Sequence, residues 1–187
     1  GVDIPVFVKN PINPDLQLWI GALERINKAG IRKLAAIHRG FSSFENSVFR
    51  NVPMWEIPIA LKSLSAELPI ICDPSHIAGD RDLVMMVAQR ALDMDMDGLM
   101  IESHIDPENA KTDARQQISP AQLKKLLKEL VVRTAISEDI DFRNKLEELR
   151  SQIDKIDREL MNIIGERFKT VHQIGEYKKD NDITILQ

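Results

Sequence analysis

The sequence has few of the features that mark secreted, membrane or nucleic-acid-binding proteins. It contains one cysteine in 187 residues, which excludes an internal disulfide and favours a reducing cytoplasm. No apolar run approaches the roughly 20 residues of a membrane span, and no signal peptide is visible. The formal net charge of −4 excludes a broadly basic surface. We therefore expect neither a membrane nor a nucleic acid as partner.

What remains is an ordinary globular composition. Hydrophobic residues make up 43% and charged residues 29%, enough for a sizeable core. A length of 187 residues allows one medium domain, or one domain with a helical appendage. The chain starts at Gly1 directly before an apolar segment, and it stops directly after another. We therefore expect it to be a piece of a longer protein.

Short apolar strands alternate with amphipathic stretches four times in the first part of the chain. The predicted strands cover residues 5–8, 34–37, 69–72 and 98–101, and helical periodicity follows each one. Such continuous apolar strands, about 30 residues apart, are typical of βα units in a parallel sheet buried on both faces. Four units are half of an eightfold βα barrel, and an open doubly wound sheet would give the same local pattern.

The character of the sequence changes after residue 133. A polar stretch, 134–141, is predicted to be a linker. From Leu146 to Ile174 apolar residues recur every three or four positions without a proline. This predicts one helix of about 35 residues and about 50 Å, at 1.5 Å per residue. Its apolar stripe requires other helices as partners, so we expect a bundle, or a homodimer or higher oligomer.

Three potential metal ligands fall where the later strands end. His76 lies in a predicted turn between Pro74 and Gly79, Glu102 closes the last strand, and Asp113 lies in the loop that follows. In a βα barrel the strand ends share one rim, so these residues converge. Singly, a loop His or Asp is more often structural, whereas a carboxylate at the rim needs a cation nearby. Together they predict a divalent ion such as Mn²⁺, Fe²⁺ or Zn²⁺.

Two cations occupy the matching positions after the first two strands. Lys9 closes the first strand and Arg39 follows the second. Alone, such a lysine can simply extend its amine into solvent. The presence of both cations on one rim predicts an anionic substrate. Arg binds phosphate or carboxylate with a planar fork, and Lys supplies a point charge. A phosphorylated carboxylic acid would use both.

These motifs closely resemble the second half of the DAHP (3-deoxy-7-phosphoheptulonate) synthases, type I and of the beta-like branch. The resemblance runs through residues 1 to about 133 and is carried by KN, HRG, DPSHIAGDRDL, GLMIESHIDPENA and TDARQQ. It implies an eightfold βα TIM barrel that condenses phosphoenolpyruvate with erythrose 4-phosphate. It also implies a divalent cofactor, with Mn²⁺ first and Fe²⁺, Zn²⁺ or Co²⁺ as alternatives.

The resemblance also implies roles for the residues of the rim. His76, Glu102 and Asp113 would be metal ligands, and Lys9 and Arg39 would be catalytic residues that hold phosphoenolpyruvate. The family's fourth ligand, a cysteine, belongs to a segment that is absent here. Cys72 lies inside a strand, so we assign it to the core. Many relatives have Glu-Arg-Gly where this chain has His-Arg-Gly at residues 38–40.

The long helix carries a second set of cations. At about 100° per residue, Arg167 and Lys178 lie within about 20° of each other, and Arg150 points about 100° away. The motifs LEELRSQIDKID and ERFKTVHQIGEYK resemble the first helix of the all-helical chorismate mutases. By resemblance, Arg150 and Arg167 would bind the carboxylates of chorismate, and Lys178 would be the catalytic donor to its ether oxygen. Gln187 falls where that family often has an acidic substrate contact.

The sequence therefore predicts a cytoplasmic, bifunctional enzyme of aromatic amino-acid biosynthesis. Residues 1–133 would be half of a synthase barrel, 134–141 a linker, and 142–187 the first helix of a mutase that converts chorismate to prephenate. The fusion suggests allosteric control of the barrel by chorismate or prephenate. Two alternatives remain open: a degenerate half-barrel scaffold with a helical dimerisation arm, and a metal-dependent aldolase for other phosphosugars.

Overall fold

The computed structural model describes residues 4–133 and 138–184. They belong to two compact units, Gly1–Arg133 and Thr134–Gln187. Residues 134–137 of the predicted linker lie outside the described residues, and the long helix begins at Ile140, inside the range predicted as linker. No helix in the described ranges has both the length and the apolar character needed to cross a membrane.

The first unit is built on a parallel sheet of four strands in sequence order. The strands are β1 (Val6–Lys9), β2 (Leu34–His38), β3 (Ile70–Cys72) and β4 (Gly98–Leu99). Their register pairs Lys9 with Ile37 and His38 with Cys72. Because all four strands run the same way, the residues that follow them emerge at one edge of the sheet. This edge, called the rim below, carries the residues that the sequence singled out.

Helices alternate with the strands, and four of the five in this unit begin at a residue whose side chain caps them. They are α1 (Leu16–Lys28), α2 (Glu56–Leu64), α3 (Pro74–Ala78), α4 (Arg81–Asp93) and α5 (Pro120–Glu129), with a 3₁₀ turn at Pro107–Asn109. Asp15, Asp73 and Asp80 accept backbone N–H groups at three helix starts, and Ser119 forms a capping box with Gln122. The turn predicted between Pro74 and Gly79 is instead a five-residue helix, because Asp73 caps it and Pro74 starts it.

The core lies between the sheet and these helices. It contains fully buried side chains from β3, α1, α3 and α4, among them Ile70, Trp19, Ile77 and Val84. The Trp19 indole donates a hydrogen bond to the carbonyl of Val8 at 3.1 Å, which satisfies its one polar atom. This contact fixes α1 against β1.

The segment between β2 and α2 folds back over α3. Phe41 and Val52 exchange two backbone hydrogen bonds of 2.8 Å, and the Asn51 amide donates to the carbonyl of His76 at 2.7 Å. The backbone of Gly40 has φ +78°, and an added Cβ would lie 2.7 Å from the Asn51 Cβ. Glycine is therefore required here both by its backbone conformation and by the space available.

The second unit contains α6 (Ile140–Asp180), a helix of 41 residues that begins at the cap Asp139. It is about 60 Å long at 1.5 Å per residue. None of its described residues is buried, and its apolar stripe is exposed to solvent. A helix of this kind gains most of its stability from packing against other helices.

We predict that Gly40→Ala lowers the free energy of unfolding by more than about 2 kcal/mol, because strain at positive φ of about 1–3 kcal/mol adds to steric overlap with Asn51. Gly30→Ala is the matched control, since Gly30 has φ +98° but no atom within 4 Å of the added Cβ. Urea unfolding of the intact protein, followed by circular dichroism, measures both. An equal decrease of the free energy of unfolding in the two variants would contradict the close packing at Gly40.

Candidate metal and anion site

The three predicted metal ligands lie together on the rim. His76, Glu102 and Asp113 each offer a ligand atom, and these atoms lie within 4.8 Å of one another. The His76 Nε2 atom is 3.6 Å from Glu102 Oε1. The residues come from α3, from the segment after β4 and from the loop before α5. One nitrogen and two carboxylates at this spacing form a donor set suited to a divalent ion.

Asp73 orients His76 from the side away from Glu102. Its Oδ2 atom lies 2.8 Å from His76 Nδ1, so the carboxylate stands directly beside this ring nitrogen. Its other oxygen caps α3 by accepting the backbone N–H of His76 at 3.1 Å. Assigning the ring proton to Nδ1, beside the carboxylate, leaves Nε2 free as a ligand.

Asp73 also holds Lys9. The Lys9 ammonium donates to Asp73 Oδ2 at 3.1 Å, and the Asp73 side chain is only 1% exposed. Burial alone would raise the pKa of this carboxyl, but hydrogen bonds and charge from His76, together with Lys9, outweigh burial and lower its pKa. Asp73 therefore stays ionised. This role of Asp73 was not predicted; its place directly before Pro74 was the local signal of a helix cap.

Arg39 is positioned through its backbone by a buried amide. Asn10 accepts the N–H of Arg39 at 2.7 Å and donates to the carbonyl of Gly40 at 2.8 Å. The Nε atom of Arg39 is buried and has no hydrogen-bond partner among residues 4–133 and 138–184. A buried guanidinium donor without a partner is costly, so an anion that accepts from it would be favoured.

Asp113 lies in a strained loop held by two arginines. Its φ is +51°, in the left-handed region that few non-glycine residues adopt. Arg50 donates to its Oδ1 at 2.6 Å, and Arg81 donates to the carbonyl of Ala114 at 2.7 Å. The Arg50 hydrogen bond is the largest cause that lowers the pKa of Asp113, and the charges of Arg50, His76 and Arg39 act in the same direction. The carboxylate is thus kept ionised.

Two further side chains of the site were not predicted. Gln116 is almost fully buried, accepts from Arg50 at 2.8 Å and donates to Glu102 Oε2 at 2.9 Å. In the sequence, Gln116 is one of two adjacent glutamines, and nothing local distinguishes it from Gln117. Arg50 is 66 positions away from Gln116, so no periodicity could link them.

His38 and Cys72 have reactive side chains and lie near the site, but both belong to the core. The His38 ring packs between Phe41 and Trp55, with ring centroids 5.7 and 5.2 Å away. Burial lowers the pKa of His38 to about 4, so the ring is neutral at pH 7. Cys72 is fully buried in β3, and burial raises the pKa of its thiol. A buried, protonated thiol is not available as a metal ligand.

The cations of α6 form no closed site in the described part of the chain. The Arg150 side chain is 64% exposed and lies 3.8 Å from Glu147. Arg167 is also exposed, about 26 Å further along the helix axis at 1.5 Å per residue. Lys178 is partly exposed on the last turns. Gln187 lies outside the described residues.

Comparisons with known proteins match two different families to successive parts of the chain. The model of the DAHP synthetase I family matches residues 1–137, and that of chorismate mutase type II matches residues 149–187. The phospho-2-dehydro-3-deoxyheptonate aldolase of Thermotoga maritima is 30% identical over 126 residues, or 67% of this chain and 37% of that protein. A 2-dehydro-3-deoxyphosphooctonate aldolase of Agrobacterium fabrum is 30% identical over 62% of this chain and 43% of its own length.

Solved structures match the first unit. The crystal structure of the Thermotoga maritima phospho-2-dehydro-3-deoxyheptonate aldolase (DAHP synthase) has a TM-score of 0.62 and 30% identity, covering 67% of this chain and 36% of that chain. A truncated form of 3-deoxy-D-arabino-heptulosonate 7-phosphate synthase from the same organism also scores 0.62, with 47% of its chain covered. This chain thus spans less than half the length of the relatives it matches.

The match to these structures decides between the two topologies that the strand pattern left open. The parallel α/β fold is that of the DAHP synthase barrels, so the prediction of a TIM barrel is confirmed. The long helix that follows is consistent with the first helix of a chorismate mutase. The chain therefore belongs to the DAHP synthetase I family, with a chorismate mutase type II segment fused after the barrel.

Proposed function

We propose that the barrel condenses phosphoenolpyruvate with erythrose 4-phosphate to form DAHP. The observation that carries this proposal is the arrangement of the rim. Three metal-type donors, His76, Glu102 and Asp113, lie within 4.8 Å of one another, and the buried Arg39 Nε has no partner among the described residues. A phosphorylated carboxylic acid and a divalent ion would together complete these interactions.

The three donors would hold the ion, with Mn²⁺ as the first choice and Fe²⁺, Zn²⁺ or Co²⁺ as alternatives. The donor set fits such an ion because Asp73 turns the Nε2 atom of His76 toward Glu102. When bound, the ion would act as a Lewis acid that polarises the aldehyde of the acceptor sugar. The family resemblance implies a cysteine as a further ligand, outside this chain.

Lys9 and Arg39 would bind phosphoenolpyruvate. Lys9 keeps 40% of its side chain exposed while Asp73 fixes its position, so its ammonium can reach both Asp73 and a substrate anion. The Arg39 guanidinium offers a fork for phosphate or carboxylate oxygens. With phosphoenolpyruvate bound between them, both charges would stabilise the negative charge that develops.

The reaction itself is balanced by one water. Carbon 3 of phosphoenolpyruvate forms a bond to the aldehyde carbon of erythrose 4-phosphate, and the aldehyde oxygen takes up a proton. Water adds to carbon 2, and inorganic phosphate leaves with the C2–O bond electrons as the new C2 hydroxyl becomes the ketone. One proton of this water balances the proton on the former aldehyde oxygen, and the other leaves with phosphate. Lys9 lies on the rim where it can move a proton to or from these oxygens.

The relatives give a specific alternative acceptor. An octonate product has one carbon more than a heptonate, so an enzyme of that kind would join phosphoenolpyruvate to a five-carbon phosphosugar instead of a four-carbon one. The fused chorismate mutase segment favours the four-carbon acceptor, because DAHP formation and chorismate rearrangement both serve aromatic biosynthesis. A non-catalytic scaffold would form neither product.

The first experiment offers erythrose 4-phosphate and arabinose 5-phosphate to the intact, metal-stripped protein with phosphoenolpyruvate. We predict Mn²⁺-dependent loss of phosphoenolpyruvate absorbance and a seven-carbon product by mass spectrometry. Glu102→Gln should weaken Mn²⁺ binding by at least about 10-fold, the smaller loss seen when only a supporting residue is removed. Glu129→Gln, on the exposed face of α5, is the matched control.

Each other outcome identifies an alternative. An eight-carbon product would replace the proposed acceptor with a five-carbon phosphosugar. Turnover with pyruvate in place of phosphoenolpyruvate would indicate an ordinary aldolase. Absence of any condensation, with Mn²⁺ affinity unchanged in Glu102→Gln, would support the scaffold.

We also propose that α6 is the first helix of a chorismate mutase formed by two copies of the chain. The exposed apolar stripe supports association, and Arg150 faces a different direction from Arg167 and Lys178. Arg150 and Arg167 would bind the two carboxylates of chorismate. Lys178 would donate to the ether oxygen as its bond breaks, with no covalent intermediate and no cofactor.

Arg167→Ala should lower the rate of prephenate formation about 100-fold or more, the loss typical of one preorganised donor. DAHP formation should be unaffected. Arg158→Ala is the matched control because it lies nine positions earlier, about 180° around the helix at 100° per residue. Chorismate absorbance measures the rate. Equal mutase rates in the two variants would exclude Arg167 from the active site.

The fusion supports a third proposal, that chorismate or prephenate bound by the mutase controls the barrel in the cytoplasm. The two activities would then be coupled through binding free energy. We expect the DAHP formation rate to change when prephenate is added, and Arg167→Ala to abolish the effect without changing the rate in its absence. An unchanged rate in the wild-type protein would refute this control.

A further inference from the structure

In each carboxylate of the candidate metal site, one oxygen accepts a hydrogen bond from another side chain of the protein. Asp113 accepts from Arg50 through Oδ1, and Glu102 accepts from Gln116 through Oε2. The other oxygen of Glu102, Oε1, faces the Nε2 atom of His76 at 3.6 Å. A carboxylate fixed by one oxygen presents the other in a defined direction, which is what an ion with a preferred geometry requires.

The two fixed oxygens are linked through a single arginine. Arg50 donates from Nη1 to Asp113 at 2.6 Å and to the Gln116 carbonyl oxygen at 2.8 Å. A guanidinium can only donate, so the Gln116 amide must turn its oxygen to Arg50 and its NH₂ group to Glu102. Arg50 therefore sets the amide orientation that gives Glu102 a donor rather than a second, repelling acceptor.

Burial makes this link difficult to replace. Gln116 is 1% exposed, so water has no access to take its place between Arg50 and Glu102. Arg50 enters over Gly79, where an added Cβ would overlap the Arg50 Cβ and lie 3.2 Å from its Cγ and Cδ. The absence of a side chain at Gly79 gives the arginine its path to the rim. The buried Gln116 and the close contact at Gly79 thus hold one end of the half-exposed Arg50 side chain and one of its acceptors in place.

We propose that Arg50 and Gln116 act as one positioning unit that aims the ligand oxygens of Asp113 and Glu102. This inference rests on the metal site of the proposed function and adds to it two residues that do not touch the ion. Arg50 comes from the segment after β2, whereas both carboxylates follow β4. The unit thus ties two segments of the rim together, and loss of either member loosens a ligand in the other segment.

The test measures Mn²⁺ dissociation constants of the intact protein from the electron paramagnetic resonance signal of free Mn²⁺. Arg50→Met and Gln116→Met should each raise the dissociation constant about 10- to 100-fold, the range for residues that support a metal ligand. Gln116→Met should have several-fold less effect in the Arg50→Met background, because coupled residues are not additive. Excess Mn²⁺ should restore the DAHP formation rate close to that of the wild type.

The chain supplies matched controls. Arg115→Met removes an exposed arginine of the same loop that pairs with Asp80, and Gln117→Met removes the adjacent glutamine, which donates to the carbonyl of Thr112. Neither should change Mn²⁺ affinity. Circular dichroism of the metal-free variants reports folding. If buried Gln116→Met does not fold, half-exposed Arg50→Met still gives the answer.

The outcomes separate this inference from the proposed function. Equal dissociation constants for Arg50→Met and Arg115→Met would overturn the positioning unit and leave the metal site in place. Weakened Mn²⁺ binding in a protein that forms no DAHP would support the unit and refute the reaction. A wild-type protein that binds no Mn²⁺ would overturn both.

Discussion

A buried carboxylate must be compensated by positive charge and hydrogen bonds, and Asp73 is the residue on which the candidate site depends. It has one oxygen on the helix start at His76 and the other between the Lys9 ammonium and the His76 ring. Breaking either contact would leave an uncompensated charge in the protein interior. One residue thereby fixes the metal-type ligand and the substrate-type cation relative to each other. The parallel sheet brings Lys9 and His76 to one rim, and Asp73 fixes the distance between them.

Much of this arrangement could be predicted because strand ends are local signals. The apolar runs located all four strands within one or two residues, and parallel order then placed Lys9, His76 and Glu102 on the rim. Asp113 was found because it lies in the loop after the last strand. The periodicity also predicted α6 as one long helix, but of about 35 residues instead of the 41 that run from Ile140 to Asp180. These features depend on residues that are close together in the chain.

The residues that the sequence did not disclose interact over long separations. Arg50 meets Asp113 and Gln116 from 63 and 66 positions away, and Lys9 meets Asp73 from 64. The two Arg50 contacts depend on how the segment after β2 folds back over α3, which in turn depends on Gly40 and Asn51. No pattern of hydrophobicity encodes that path. The short helix α3 was missed for a different, local reason, since the cap Asp73 and Pro74 outweighed the turn signal of Gly79.

The left-handed backbone of Asp113 limits the chemistry open to its position. Asp and Asn tolerate positive φ because their short side chains can hydrogen-bond locally, whereas longer residues do so rarely. Glutamate, the other carboxylate, would therefore be disfavoured at this position by the main chain, with or without an ion. At Glu102, which has no positive φ, the main chain makes no such choice. The two carboxylates of the site are thus selected by different means. Backbone conformation selects aspartate at position 113, and side-chain length selects glutamate at position 102.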